Sequence, residues 1–144
     1  MKGMMAMTNT AYNMNTQNVY INTELINKCT HQQVITRGDI YYANISGNVG
    51  SVQGKSRPVL IVQNDIGNKY SPTVIALPLT TQHKRYMPTH VYISGYGLKK
   101  PSVIMAEQIL TIDKSQLTSF IGHINSENVM REVSNAMCVA VAIN

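Results

Sequence analysis

This chain has no tryptophan, a single phenylalanine and only two cysteines in 144 residues. Eight tyrosines supply nearly all of its aromatic surface, so a core has to be assembled mainly from Val, Ile, Leu, Met and Ala. Cys29 and Cys138 stand far apart and are flanked by nothing at metal-ligand spacing. That argues against a disulfide framework and for free thiols in a reducing, cytoplasmic compartment. No window approaches the roughly 18 consecutive apolar residues of a membrane-spanning helix. Charge is also scarce, at 13% of residues, with twelve Lys and Arg against seven Asp and Glu. The resulting net charge of +5 permits an acidic partner, nucleic acid or protein, without choosing between them. The opening residues, MKGMMAMTNTAYNMN, lack a continuous apolar stretch and make a poor secretory signal. Met1, Met4, Met5, Met7 and Met14 are all possible starts.

The texture changes near residue 34. Residues 1–34 are rich in Asn, Thr, Gln and Met, and Val19-Tyr20-Ile21 is their one compact apolar cluster. This composition predicts a flexible polar N-terminal extension with at most one short ordered turn. Residues 35–144 read as one domain.

Within that domain, Gly38–Ile45 (GDIYYANI) predicts a strand. Arg57–Gln63 (RPVLIVQ) predicts a buried one, because its apolar run is nearly continuous. Pro58 has no N–H and belongs at the start of that strand. Between them, SGNVGSVQGKS (46–56) is a loop whose glycines allow its shape to change when a ligand binds. Asn64–Pro72 reads as a turn region. Four more strands are expected at Thr73–Leu79, His90–Ser94, Ser102–Ala106 and Ile109–Ile112, and a turn of helix at Lys114–Phe120. Ser126 suits a helix N-cap and Glu127 its first turn. Val129, Val133, Ala136, Met137, Ala140 and Val141 then recur at three- and four-residue spacing, a stripe suited to packing on a sheet. Short strands followed by one terminal helix predict a mainly β, α+β fold, a small barrel or strongly curved sheet closed by that helix.

An arginine at a strand start beside a glycine-rich loop suits phosphodiester binding, and the motifs around it are specific in combination. Arg37-Gly38-Asp39-Ile40-Tyr41, Arg57-Pro58-Val59-Leu60-Ile61-Val62-Gln63-Asn64, Ser71-Pro72-Thr73, Pro88-Thr89-His90-Val91 and Glu107-Gln108-Ile109-Leu110-Thr111-Ile112-Asp113 follow one another in order. With that order and spacing, the chain from Arg37 onward resembles the MazF/PemK family of ribosome-independent endoribonuclease toxins. The resemblance implies an SH3-like barrel with a C-terminal helix, working as a homodimer. It implies metal-independent cleavage of single-stranded RNA at short motifs, with the ribose 2′-OH as nucleophile and no cofactor. It also implies an antitoxin whose acidic tail covers the RNA channel.

Position by position, Arg57 matches the family arginine needed for cleavage and Thr80 a threonine of the same site. Glu107 stands where relatives carry an acid before Gln108. Two departures are visible. The first loop reads Gly50-Ser51-Val52-Gln53, without the acid or histidine many relatives have there. Leu110 replaces the arginine common in the Gln-Ile-Arg-Thr motif. RNA sequence specificity is therefore not carried over.

The chemistry gives these residues roles and ordinary alternatives. Arg57 can grip two phosphate oxygens and relieve charge on the phosphorane. Thr80 can hydrogen-bond a phosphate oxygen or merely cap a turn, with Thr81 an adjacent substitute. Glu107 can take the 2′ proton or hold Arg57 in place. Thr81-Gln82-His83-Lys84-Arg85-Tyr86 sets charge beside an aromatic ring, as suits single-stranded RNA. His83 there is either an acid–base group or a contact residue. Ser51, Gln53 and Lys55 in the first loop and Gln108 complete the candidate RNA contacts. His31, His90 and His123 show no metal spacing, and no metal is assigned.

Two other functions compete. A topoisomerase poison of the CcdB type shares the fold but acts through a Trp-Gly-Ile-like end, and this chain has no Trp and ends Ala142-Ile143-Asn144. A catalytically inactive RNA-binding barrel is disfavoured by the joint presence of Arg57, Thr80 and Glu107.

Overall fold

The computed structural model describes residues 12–14, 17–19, 33–45, 55–83 and 85–144. The chain divides into two units, Met1–Val34 and Ile35–Asn144. In the first, β1 (Tyr12–Met14) and β2 (Gln17–Val19) form an antiparallel pair.

The second unit runs β3 (Asp39–Ile45), β4 (Lys55–Ile61), α1 (Asp65–Tyr70), β5 (Thr73–Thr80), β6 (His90–Ile93), β7 (Ser102–Met105), β8 (Leu110–Asp113), β9 (Leu117–His123) and α2 (Glu127–Ala140). Its seven strands are antiparallel, in the order β6–β7–β5–β4–β3–β9, with β8 also on β5. The mainly β, α+β fold with a C-terminal helix is as expected. Barrel closure is not observed, because β6 and β9 end the hydrogen-bonded path.

Two prolines set the shape of this sheet. The Gly38 N–H donates to the Ile61 carbonyl, so alternate residues back to Val59 and Arg57 turn their polar groups toward β3. Pro58 therefore faces β5 and has no N–H to give it, and the β4–β5 ladder stops at Val59–Pro78. Pro78 faces the other way, into the gap where β5 exchanges β8 (up to Ala76–Leu110) for β7 (from Leu79–Ile104). Each proline sits where a strand lacks a partner.

Both faces of β4 are covered, which explains its continuous apolar run. Leu60 and Val62 pack with Ile40, Leu77, Ile104 and the helix residues Val133 and Ala136. Val59 and Ile61 pack on the opposite face with Tyr41, Ala43, Val74 and Ile112. Helix α2 starts as expected, with Ser126 Oγ accepting from the Val129 N–H. Its buried stripe uses Val129, Met130, Val133, Ala136 and Met137, while Val141 is 50% exposed just past the helix end. The Arg37 guanidinium ties the start of the domain to this helix, donating to the Val62 carbonyl and to Ser134 Oγ.

Two local expectations are corrected. Residues 64–72 are not only a turn: Asn64 caps α1, its side chain accepting from the Gly67 N–H at 2.8 Å, and Asp65 and Lys69 suit the helix dipole at its two ends. Lys114–Phe120 is not helical throughout. Asp113 and Gln116 form a capping box around a single 3-10 turn at Lys114–Gln116. From Leu117 the chain becomes β9 and pairs with β3, with two register shifts. The polar outer face of LTSFIGH hides a strand whose stability comes from that neighbour.

Candidate active site

The candidate site lies where β4 and β5 separate. Continuing the Val59–Pro78 register by two residues sets Arg57 opposite Thr80. Both line a cleft of about 370 Å³, with Thr81, Gln82 and Gln108 contributing polar groups. Pro58, Leu79 and Met105 supply its apolar wall, and Ser102 a further hydroxyl. Arg57 is exposed, and among the described residues no carboxylate ion-pairs with it. Its guanidinium thus remains available to an anion in the cleft.

Thr80 Oγ1 accepts from the Gln82 N–H at 3.1 Å. The turn-capping role is therefore real. It is also compatible with ligand binding, because the hydroxyl proton is still free to be donated, from an oxygen whose position the turn fixes.

Glu107 is held elsewhere than expected. Its Oε1 lies 3.0 Å from His90 Nε2 and it makes no pair with Arg57. It does not line the cleft, although its neighbours Met105 and Gln108 do. The reading in which Glu107 braces Arg57 is thereby withdrawn. The reason lies in the β6–β7 register, which pairs His90 with Met105 and leaves Glu107 just beyond that rung. Partial burial pushes the Glu107 carboxyl up. Hydrogen bonds from its own backbone N–H and from His90 outweigh that and hold it below the ordinary glutamate value. His90 is 3% exposed at its side chain, and its Nδ1 is buried without a hydrogen-bond partner among the described residues. Sequence reasoning passed over His90, because only the fold brings Thr89-His90 alongside Glu107.

Of the other candidates, Thr81 and Gln108 join Arg57 and Thr80, and His83 lines an adjoining cleft. Arg85 and Tyr86 are exposed, Tyr86 at 74%. Lys55 begins β4 opposite Ile45. Ser51, Gln53 and Lys84 lie outside the described residues. Ser102 and Met105 were not foreseen, since in sequence they are ordinary strand residues. Among the described residues, no three His, Cys, Asp or Glu side chains cluster closely enough to share a metal ion.

An antiparallel sheet backed by one helix, with an exposed arginine and hydroxyls in one cleft, makes a small β domain with a cationic groove. Residues 36–141 match the family described as PemK-like, MazF-like toxin of type II toxin-antitoxin system, and the chain belongs to that family. It is 48% identical over 113 residues to Endoribonuclease EndoA of Bacillus subtilis, covering 76% of this chain and 97% of that protein. It is 46% identical over 114 residues to Endoribonuclease MazF of Staphylococcus saprophyticus, covering 77% and 94%. An endoribonuclease solved in complex with its cognate antitoxin from a Mycobacterial species superposes with a TM-score of 0.64 at 25% identity, covering 76% of this chain and 97% of that one. A MazE-MazF structure from Deinococcus radiodurans, at 22% identity and a TM-score of 0.65, covers 77% of this chain and 98% of that one and shares the fold. Among the described residues, no helix is long and apolar enough to cross a membrane.

Proposed function

We propose that this chain is the toxin of a type II toxin–antitoxin pair, an endoribonuclease that cuts single-stranded RNA, mRNA included, at short sequence motifs. The observation that carries this reading is the meeting of Arg57 and Thr80, from two strands, with Gln108 in one cleft of a MazF-family fold. The domain from residue 35 to 144 bears the activity, and residues 1–34 are an appendage to it. The protein acts in the cytoplasm as a homodimer, and a cognate antitoxin with an acidic tail occupies the RNA groove.

The reaction is a transesterification. The 2′ oxygen attacks the adjacent phosphorus, the P–O5′ bond breaks, and a cyclic phosphate and a 5′-hydroxyl are released. Arg57 neutralises the charge that builds on the two non-bridging oxygens, and its planar fork fits both at once. Thr80 donates its remaining proton to one of them, and Gln108 positions the flanking chain. Glu107, next to the cleft-lining Gln108 and held by His90, takes the proton from the 2′-OH, and a proton is returned to the departing 5′ oxygen. The carboxylate is ionised at neutral pH and is therefore in the form that can accept that proton. Arg85 and Tyr86 guide the strand toward the cleft by charge and stacking.

The deciding experiment incubates the purified protein with a long RNA in EDTA and maps the new ends. Cleavage at recurrent motifs, leaving 5′-hydroxyl ends, supports the reading. Binding without cleavage would assign the chain to the inactive RNA-binding class instead.

A further inference from the structure

A second cleft of about 490 Å³ adjoins the first. Thr81, Gln82 and Ser102 line both, so the two form one continuous groove. The strand registers explain this continuity. Val103 of β7 pairs with Thr80 on one side and with Tyr92 of β6 on the other. Strand β7 therefore carries the wall from the Arg57 cleft to the next.

The second cleft differs in chemistry from the first. Tyr92 and Pro101 give it flat apolar surface over buried Ile93 and Val103. Tyr92 is 51% exposed on a strand whose other residues are buried. Lys100 brings a cation to the cleft, and no acidic side chain lines it. Ser102 Oγ donates to the Lys100 carbonyl at 3.0 Å, which pins the Lys100–Pro101 segment against the shared wall. The Gln82 amide and the Ser94 hydroxyl offer donors and acceptors to a planar polar ring.

We infer that this second cleft is a nucleotide subsite. It holds the base of a nucleotide flanking the scissile phosphate, stacked on Tyr92, with a backbone phosphate beside Lys100. The inference rests on the RNA-cleaving reading above and names where the strand goes after the Arg57 cleft. A single strand with one phosphate at Arg57 and Thr80 must leave that cleft. The adjoining one is contiguous, free of acids, and supplied with a ring and a cation. Stacking on an aromatic face accepts any base, and the polar groups beside it set the preference.

The test uses a short RNA spanning the mapped cut site, with a 2′-deoxy sugar at the cut so that it binds without being consumed. Fluorescence anisotropy measures its Kd for the full-length protein. Tyr92→Ala is expected to weaken binding about tenfold, the usual effect of removing one base stack, and Tyr92→Phe to restore it. An abasic nucleotide is moved through each flanking position. At one position it should weaken wild-type binding by a similar factor and add nothing further in Tyr92→Ala. Lys100→Gln should lower the dependence of log Kd on log salt by about one phosphate contact. Thermal melts of each variant check folding.

Tight binding that is indifferent to Tyr92, or abasic effects that remain additive with Tyr92→Ala at every position, would overturn the subsite and leave the parent reading intact. A change of oligomeric state in Tyr92→Ala would make the cleft a contact between copies and likewise overturn it. Failure of the wild-type protein to cut any RNA would overturn the parent reading and the subsite together.

Discussion

Glu107 meets His90 and not Arg57: the carboxylate Oε1 and imidazole Nε2 are 3.0 Å apart, with the histidine buried and the carboxylate partly open to solvent. Arg57 and Thr80 gather at the β4–β5 parting, whereas Glu107 is held where Thr89-His90 meets the segment after β7.

Glu107→Gln tests that couple in two ways. The carboxyl is held below its ordinary value in the folded state. Its contribution to stability is therefore fully present above the unfolded value and is lost as pH falls through the lowered folded one. The variant should flatten the acid side of a stability–pH curve, read by denaturant melts between about pH 3 and 6, the window around an ordinary carboxylate. Cleavage at pH 7 should fall by about two orders of magnitude, the usual range for a lost acid–base group. Unchanged cleavage with altered acid stability would reduce the couple to a structural role.

Arg57→Ala should abolish RNA cleavage and host growth arrest while leaving the melting temperature nearly unchanged, because the side chain is exposed on β4. The loss should be at least about 100-fold, as for other deleted transition-state donors. A variant cutting at near wild-type rate would remove Arg57 from the mechanism.

Cleavage should persist in EDTA and stop on a substrate whose 2′-OH at the cut site is replaced by hydrogen. The nucleophile belongs to the RNA itself, so removing that one oxygen removes the reaction. Cutting of the deoxy-substituted site would exclude the mechanism.

RNA and an acidic antitoxin peptide should compete for one groove on a homodimer. Lys55, Arg57, Lys84 and Arg85 are the basic residues assigned to it, and both affinities should fall as salt rises. Titrating a short RNA that carries a 2′-deoxy sugar at the cut site onto the complex of the unaltered protein with the antitoxin tail checks this. Simultaneous binding refutes the shared groove, and a monomer at micromolar concentration refutes the dimer.

Gly122→Ala should destabilise the domain by about 1–3 kcal/mol, as overpacking does. A Cβ at Gly122 would lie 1.9 Å from the Tyr96 carbonyl oxygen, and one at Gly97 would lie 2.0 Å from that of Ile121. Both obstacles are backbone, so β9 and the 95–97 turn have to separate. Urea titration gives the answer, and a variant as stable as wild type would show that the turn yields freely.

The amino-acid sequence by itself determined the strands that carry their own signal. RPVLIVQ declares a buried strand because both its faces need cover, and the stripe from Val129 to Met137 declares a helix because its period matches one. The family motifs brought Arg57, Thr80 and Glu107 into view for the same reason: each rests on local order and spacing. What the tertiary structure decided was which of them meet. Pro58 and Pro78 end ladders only once strand neighbours are known, and the cleft forms where those ladders stop. The β9 strand has too weak a pattern of its own and depends on β3 for its hydrogen bonds. His90 is silent in sequence, 17 residues from Glu107, and acquires its partner only when β6 pairs with β7. Periodicity is a property of neighbours along the chain. A site built from separate strands is set by register, which only the folded sheet defines.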